Sequence, residues 1–393
     1  MSFATVGLVM IVKDEAHVIE RCLRSVLPVI DHAVIVDTGS TDRTREVVRE
    51  FLADNGISGG TIDRPWRDFA HNRSEALAAL REVPGVDYAL TLDADEELRI
   101  EPGLDIGAFK AQLTADVYDV EVVLDESTVY TRPTLFSNRL PFAYRGVIHE
   151  FLQLPAGASR DTAAGMRVVS KHEGARSREA DRYAKDAEIL EATLLVETDP
   201  FLISRYSFYL AQSYRDSGQH QKAHDAYLKR AELGFWIEEV YVSLLRAAQL
   251  LELLEAPFDE QLALYLRAVE ASPGRAESFH GAAAACRKAG RYQVGYVLAR
   301  HGLTLPQPAG GLFLDKTVYD YRMLDEFQVN AYWAGHYRDS LDAAATILND
   351  KKYPAEEEPR FLANMRYALT KLEEAGEIDV AAVLAAAGGT GSS

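Results

Sequence analysis

The chain has 393 residues, with 42 Lys+Arg against 60 Asp+Glu, a formal net charge of −18 and 48% apolar residues. That apolar share excludes wholesale disorder, and the acidic balance argues against a protein that wraps a nucleic-acid backbone. Cys22 and Cys286, the only two cysteines, cannot build a disulfide framework, so a cytoplasmic protein is expected. No run approaches the ~20 apolar residues of a membrane span. Met1–Val12 leads directly into Lys13-Asp14-Glu15 and reads as a buried strand rather than a signal peptide.

Residues 5–12 (TVGLVMIV) predict a strand covered on both faces. A helix should open at Asp14 as N-cap, turn Val18, Ile19, Cys22, Leu23, Val26 and Leu27 inward, and stop at Pro28. Residues 33–36 (AVIV) predict a second strand ending in Asp37-Thr38-Gly39-Ser40-Thr41-Asp42. A helix with Val47, Val48 and Phe51 inward follows, then a strand at Thr61-Ile62, a helix over 69–80 and a strand over 88–92 (YALTL). Strands alternating with helices mean a parallel α/β sheet, and ligands of such sheets bind beyond the carboxyl ends of the strands. Asp14, Asp37 and Asp93 fall at those ends. An aspartate there is commonly only a cap or turn former; three converging polar clusters point to a site.

The Asp37-Thr38-Gly39-Ser40 cluster can accept the imide N–H of uracil or a ribose hydroxyl. Asp93 and Asp95, two apart after a strand, would aim two carboxylates at one point. Such a pair repels unless a cation lies between them, and oxygen ligands suit Mg²⁺ or Mn²⁺.

The segments VKDEAHVIERCLRSV, VIVDTGSTDRT, DFAHNRSEAL and LTLDADEEL together resemble the family 2 glycosyltransferases of GT-A fold, an α/β, Rossmann-like architecture with a mixed sheet. The resemblance implies sugar transfer from a nucleoside diphosphate, UDP above all, to an acceptor. It implies donor contacts at Val12, Asp14, Asp37, Thr38, Gly39, Arg73, Asp93, Ala94 and Arg176, and a metal held by Asp93, Asp95 and His172. Ser74 stands where the family usually has asparagine. The strand-like runs 117–123 and 128–136 should extend the sheet on the acceptor side. Beyond them, Ile148-His149-Glu150 resembles the family segment whose carboxylate lies near the anomeric carbon, so Glu150 is the expected base of an inverting displacement. Asp119 and Glu121 are weaker candidates. Lys171 and Arg176 can hold phosphates, whereas Arg178 reads as a solvated turn residue.

From Asp181 onward strand alternation disappears. Residues 209–231, 280–302 and 330–347 each place a glycine between two helical runs (Gly218, Gly290, Gly335). They resemble tetratricopeptide repeats, with a degenerate copy expected over Glu238–Ala271. Tyr206, Tyr209, Tyr214, Trp236, Tyr241 and Trp333 read mostly as repeat core. The expected organisation is a catalytic domain over 1–178, an all-α tetratricopeptide-like solenoid over 179–375 and a helix end with a frayed tail over 376–393. The solenoid is expected to hold a polypeptide acceptor or to make a homodimer; glycan, lipid-linked and small-molecule acceptors are the alternatives. Two rival classes have their own sequence marks. A nucleotidyltransferase would carry a Gly-rich basic loop after the first strand, where this chain has VKDEAH. A non-catalytic nucleotide-sugar-binding scaffold would not need Asp93, Asp95, Glu150 and His172.

Overall fold

The computed structural model describes residues 3–124, 129–171 and 173–378. It divides into two compact units, Met1–Thr193 and Leu194–Ser393, later than the sequence boundary after Arg178 because the helix Arg182–Leu194 goes with the first unit. His172 and the tail Ala385–Ser393 lie outside the described residues.

The first unit runs β1 (Val6–Val12), α1 (Ile19–Val26), β2 (His32–Asp37), α2 (Thr44–Asp54), β3 (Ser58–Asp63), α3 (Phe69–Arg81), β4 (Tyr88–Thr91), β5 (Glu96–Ile100), α4 (Ile106–Gln112), β6 (Val117–Val123), β7 (Val129–Ser137), β8 (Ala143–Arg145), β9 (Phe151–Gln153), β10 (Arg160–Ser170) and α5 (Arg182–Leu194). Eight strands form one mixed sheet in the order β3-β2-β1-β4-β7-β6-β10-β5, and β8 pairs with β9 apart from it. β1 is flanked by β2 and β4, both parallel to it, with Val9 opposite Val34 and Thr91. β7 turns the sheet antiparallel between β4 and β6. The strand order reverses at β1, so the crevice past β1, β2 and β4 is the topological switch point at which ligands bind.

Alternation along β1 explains its unbroken apolar run. Leu8 and Met10 join one core with Ile19, Leu23, Ile35 and Phe51; Val9 joins the other with Val34, Ala76, Leu77 and Leu80. Both faces are covered, so neither tolerates polarity. α3 packs so closely on β1 that a Cβ on Gly7 would lie 2.5 Å from Leu80 Cδ1.

Three local expectations are corrected. α1 opens at Ile19 after Val18, not at Asp14; Asp14 is left-handed at φ +56° and its carboxylate is used elsewhere. β4 ends at Thr91, so Asp93 and Asp95 lie in a turn and strand alternation does not aim them. β5 was hidden by its charge, because Glu96 and Glu97 are buried by partners rather than by apolarity.

The second unit is a succession of helix pairs. These are α6 (Pro200–Asp216) with α7 (His220–Glu232), α8 (Ile237–Leu253) with α9 (Phe258–Ala271), α10 (Ala276–Lys288) with α11 (Tyr292–Gly302), and α12 (Met323–Trp333) with α13 (Tyr337–Asp350), followed by α14 (Glu358–Glu374). The segment expected to hide a degenerate copy is thus the pair α8–α9. Asp199 caps α6 by accepting from Phe201 N at 2.9 Å, with Pro200 in the first turn. Gly218, Gly290 and Gly335 turn the chain at φ +77°, +70° and +85°, a conformation that costs glycine nothing. Small residues recur where helices touch, as a Cβ on Gly281 would lie 2.2 Å from the Tyr265 ring. Tyr206, Tyr214 and Tyr241 are core, whereas Trp236 and Trp333 are exposed and Tyr209 is half-buried. Such tryptophans look like core in sequence because only packing decides which helix face is covered.

Candidate active site

The parallel register sets Val12 beside Asp37, and the loops beyond them lock together. Thr38 donates to the Val12 carbonyl from its N–H at 2.9 Å and its hydroxyl at 3.1 Å. Asp14 Oδ1 accepts from Thr41 N at 2.7 Å and Asp42 N at 3.2 Å, while Asp14 N donates to Ser40 Oγ at 2.9 Å. Asp14 therefore braces the loop after β2 instead of capping α1.

Asp37 is 1% exposed. Its Oδ1 accepts from Gly39 N at 2.9 Å and Ser40 N at 2.8 Å, with Gly39 at φ +109° allowing the turn beneath it. Its Oδ2 is buried and has no partner among the described residues. A buried acceptor left unmade costs about 1–3 kcal/mol. The carboxylate lines a cavity of about 270 Å³ with Gly39, Arg45, Asp63, Arg64 and Pro65. A larger depression of about 560 Å³ lies between α2 and the edge strand β3, lined by residues such as Arg49, Leu52, Ile57 and Gly60, and holds none of the strand-end carboxylates.

Across the switch point, α3 delivers Arg73. Asp68 caps this helix by accepting from His71 N at 2.7 Å. Buried Asn72 fastens it, donating to Pro65 O and accepting from Arg67 N, each at 3.0 Å. Arg73 Nε donates to Glu150 Oε1 at 2.6 Å and Nη2 to Asp93 Oδ1 at 2.5 Å, with the guanidinium 5.7 Å over the Tyr144 ring. Burial works against this charge, yet Asp93 and Glu150 hold Arg73 firmly protonated. Burial likewise opposes ionisation of Asp93, but Arg73 and Arg132 keep its carboxyl below the usual range. Ser74 does not face this group; its hydroxyl accepts from Tyr144 N at 2.9 Å.

Sequence reasoning missed two members. Glu96, on β5, accepts from Asp93 N at 3.0 Å and from Arg132 Nη2, on β7, at 2.5 Å. Burial pushes the Glu96 carboxyl up despite Arg132. The available signal was an acid two residues before an apolar strand residue on the same face, as Glu96 stands before Leu98.

Asp95 and Glu15 take a separate task. Asp95 Oδ2 accepts from Gly174 N at 2.9 Å, and Glu15 Oε1 from Ala175 N at 3.1 Å. A side chain at Gly174 would be tight, because a Cβ there would lie 3.2 Å from Asp95 Oδ2 and 3.3 Å from Glu15 Oε1 and would press on both carboxylates. Among the described residues no three His, Cys, Asp or Glu side chains gather as a cation site; His172, the expected third ligand, is outside them. Ala94 is buried in the turn between the two aspartates.

The basic residues after β10 have partners of their own. Arg176 pairs with Asp186 on α5 and lies 4.6 Å over the Phe69 ring. Lys171 pairs with Glu97 at 2.8 Å, and Arg178 contacts the His17 ring. Asp119 on β6 is held by both donors of Arg160, and Glu121 is exposed on the same strand.

A family model for glycosyl transferase family 2 matches residues 8–123. This part of the chain is thus similar to a family 2 glycosyltransferase domain. A TPR repeat-containing protein of Synechococcus elongatus is 35% identical over 158 residues, which are 38% of this chain and 36% of that protein. An uncharacterized glycosyltransferase of Rickettsia bellii is 28% identical over 130 residues, 32% of this chain and 40% of the relative. The chain therefore spans well under half the length of the curated relatives it matches. Among solved structures, Staphylococcus aureus TarS 1–349 in complex with UDP-GlcNAc is similar at 12% identity, covering 84% of this chain and 92% of that one, with a TM-score of 0.35. Arg73 joins Asp93 to Glu150 beyond the strand ends, while Asp14, Asp37 and Asp95 keep partners of their own.

Proposed function

We propose that the chain transfers a sugar from a UDP-sugar to an acceptor with inversion, using Glu150 as base. The observation that carries this reading is Arg73, one guanidinium bonded to both Asp93 and Glu150. It joins the donor-side turn to the carboxylate expected beside the acceptor. Asp37, whose Oδ2 lacks a donor, holds the uracil imide or a ribose hydroxyl, with Val12, Asp14, Thr38 and Gly39 shaping the loop that presents it. Ala94 gives the donor a close approach to the turn, and Arg176 flanks the diphosphate side.

Arg73 fixes Glu150 through Oε1, and Oε2 is left for chemistry. As the acceptor hydroxyl attacks C1, Glu150 takes its proton, a C1–O bond forms, and the bond to the diphosphate breaks with its electron pair leaving on UDP. A divalent cation, Mn²⁺ or Mg²⁺, belongs to this reading. Asp93 and Asp95 each use one carboxylate oxygen in the bonds above and keep the other, a hard donor set suited to such ions, and His172 is the proposed third ligand. When bound, the ion offsets negative charge on the leaving diphosphate.

The acceptor is proposed to be a polypeptide, because helix-pair solenoids offer extended surfaces; a homodimer through the same unit is the second use of that surface. No helix among the described residues is long and apolar enough to cross a membrane. We place the protein in the cytoplasm, where its buried, unpaired Cys22 and Cys286 remain reduced. The test is a screen of nucleotide-sugar hydrolysis and transfer with Mn²⁺ present and absent. UDP-sugar turnover that needs the metal supports the reading. UDP-sugar binding without turnover under any condition would make the protein a scaffold instead.

A further inference from the structure

We propose that the first helices of the repeat pairs bind a polypeptide through its backbone and a bulky apolar residue. The connection between α11 and α12 is an internal stand-in for that polypeptide and closes the face until it is displaced. The inference concerns the helical unit alone and holds whether or not the bound chain accepts a sugar.

The other connections between pairs are short. Residues 233–236 join α7 to α8, 272–275 join α9 to α10 and 351–357 join α13 to α14, whereas 303–322 join α11 to α12. A long irregular stretch in a compact unit usually serves binding or regulation. This one crosses the first helices of three pairs. The Phe313 ring lies 6.4 Å from that of Phe208 on α6, at an interplanar angle of 15°. Leu312 N donates to Glu238 Oε2 on α8 at 2.9 Å, and Arg275 Nη2, just before α10, donates to the Leu312 carbonyl at 3.4 Å. Asp315 N donates to Glu277 Oε1 on α10 at 3.3 Å. Glu238 and Arg275 are themselves paired at 2.7 Å. The strap's backbone runs against that pair, since a Cβ on Gly311 would lie 2.7 Å from Arg275 Nη1 and 3.2 Å from Glu238 Oε2.

These contacts define what the face recognises. A carboxylate takes the N–H of Leu312 and a guanidinium donates to its C=O, two contacts that the backbone of any non-proline residue can supply. The ring contact with Phe208 adds a demand for an aromatic or bulky apolar side chain next to that residue. The strap itself is lightly held. Residues 303–317 are all exposed or half-buried, and Phe313 is 48% exposed. A segment with so little buried apolar surface opens at low cost. Phe313 also sits at φ +49°, a left-handed conformation that a residue with a Cβ resists. Beneath the strap, Glu238 and Arg275 are charged and gain hydration when it leaves, which favours opening. A separate polypeptide can offer the same N–H, C=O and ring without the left-handed residue, so it competes with the strap for one face.

The experiment uses the full-length protein without any sugar donor. The probe is a fluorescein-labelled peptide with the sequence of residues 309–315, AGGLFLD, read by anisotropy; the control peptide carries alanine in place of the Leu-Phe pair. A closed strap leaves only the open fraction of molecules competent to bind, so loosening it should tighten probe binding at least roughly tenfold. Phe313→Ala loosens it by removing the ring contact, and Gly311→Ala by setting a Cβ against Arg275. Both leave the face intact, and both should bind the probe more tightly than wild type without gaining affinity for the control. Gly311→Ala keeps the test decisive if Phe313→Ala does not fold. Adding Glu238→Ala to either variant removes the acceptor for the backbone N–H and should return the affinity to the wild-type level or below. Amide hydrogen exchange across 309–315 of the wild-type protein should quicken when the probe binds. Equal probe affinity of wild type and both strap variants, equal binding of probe and control, or probe binding that leaves exchange of 309–315 unchanged would overturn the proposal.

Discussion

Replacing Asp37 by Asn separates a loop brace from a nucleotide ligand. The amide carbonyl can still accept from Gly39 N and Ser40 N, now 2.9 and 2.8 Å from Oδ1, so the turn after β2 should persist. The amide nitrogen then stands where Oδ2, buried and without a partner, offered an acceptor. A nucleotide N–H or hydroxyl donated to that charged oxygen contributes about 1.5–3 kcal/mol. Asn removes it and opposes one donor to another, so the UDP dissociation constant should rise roughly 10- to 150-fold. Stability should move differently. The wild-type protein already bears an unmade buried acceptor, and Asn exchanges it for an unmade neutral donor, so Tm should hold or increase. Titration calorimetry with UDP and thermal melts of both proteins give the comparison. Unchanged UDP affinity together with a lowered Tm would refute the reasoning and reduce Asp37 to a brace for the loop.

Glu150→Gln should lower turnover by about 10²–10⁴-fold while leaving UDP affinity within a few-fold; near-normal kcat would move the base elsewhere. Asp95→Asn keeps an acceptor for Gly174 N, so the fold should survive while Mn²⁺-dependent transfer is lost; wild-type turnover in excess EDTA would overturn the cation's part. His280 supplies a pH dependence of stability. Burial, with Arg322 and Arg287 adding to it, lowers its pKa from 6.5 to about 4. Between those values the unfolded chain takes up a proton that the folded one refuses, so stability falls as pH drops through that window. Urea unfolding at pH 7 and pH 5 should show a larger loss for wild type than for His280→Gln; equal losses would mean that the side chain is open to solvent.

Much of the architecture is a local property and could be read from the chain. The period of apolar residues identifies β1, β2, α3 and the helix pairs, because covering a strand on both faces or a helix on one constrains nearby residues directly. Glycines at Gly218, Gly290 and Gly335 mark the inter-helix turns for the same reason: the required backbone conformation belongs to one residue. The Asp37 loop and the Asp93 turn could be placed at strand ends, hence at one edge of the sheet. What each carboxylate touches could not. Arg73 meets Asp93 across 20 residues and Glu150 across 77, and Glu96 reaches Arg132 across 36. Such pairs depend on strand order and register, which set distances between remote residues and leave no periodic trace. Arg176, a free phosphate ligand by sequence, is paired with Asp186 only because α5 returns beside it. Asp14 and Asp37 look alike as aspartates after strands. One spends its carboxylate on the neighbouring loop and the other keeps a buried oxygen without a donor, and the packing of the two loops decides which.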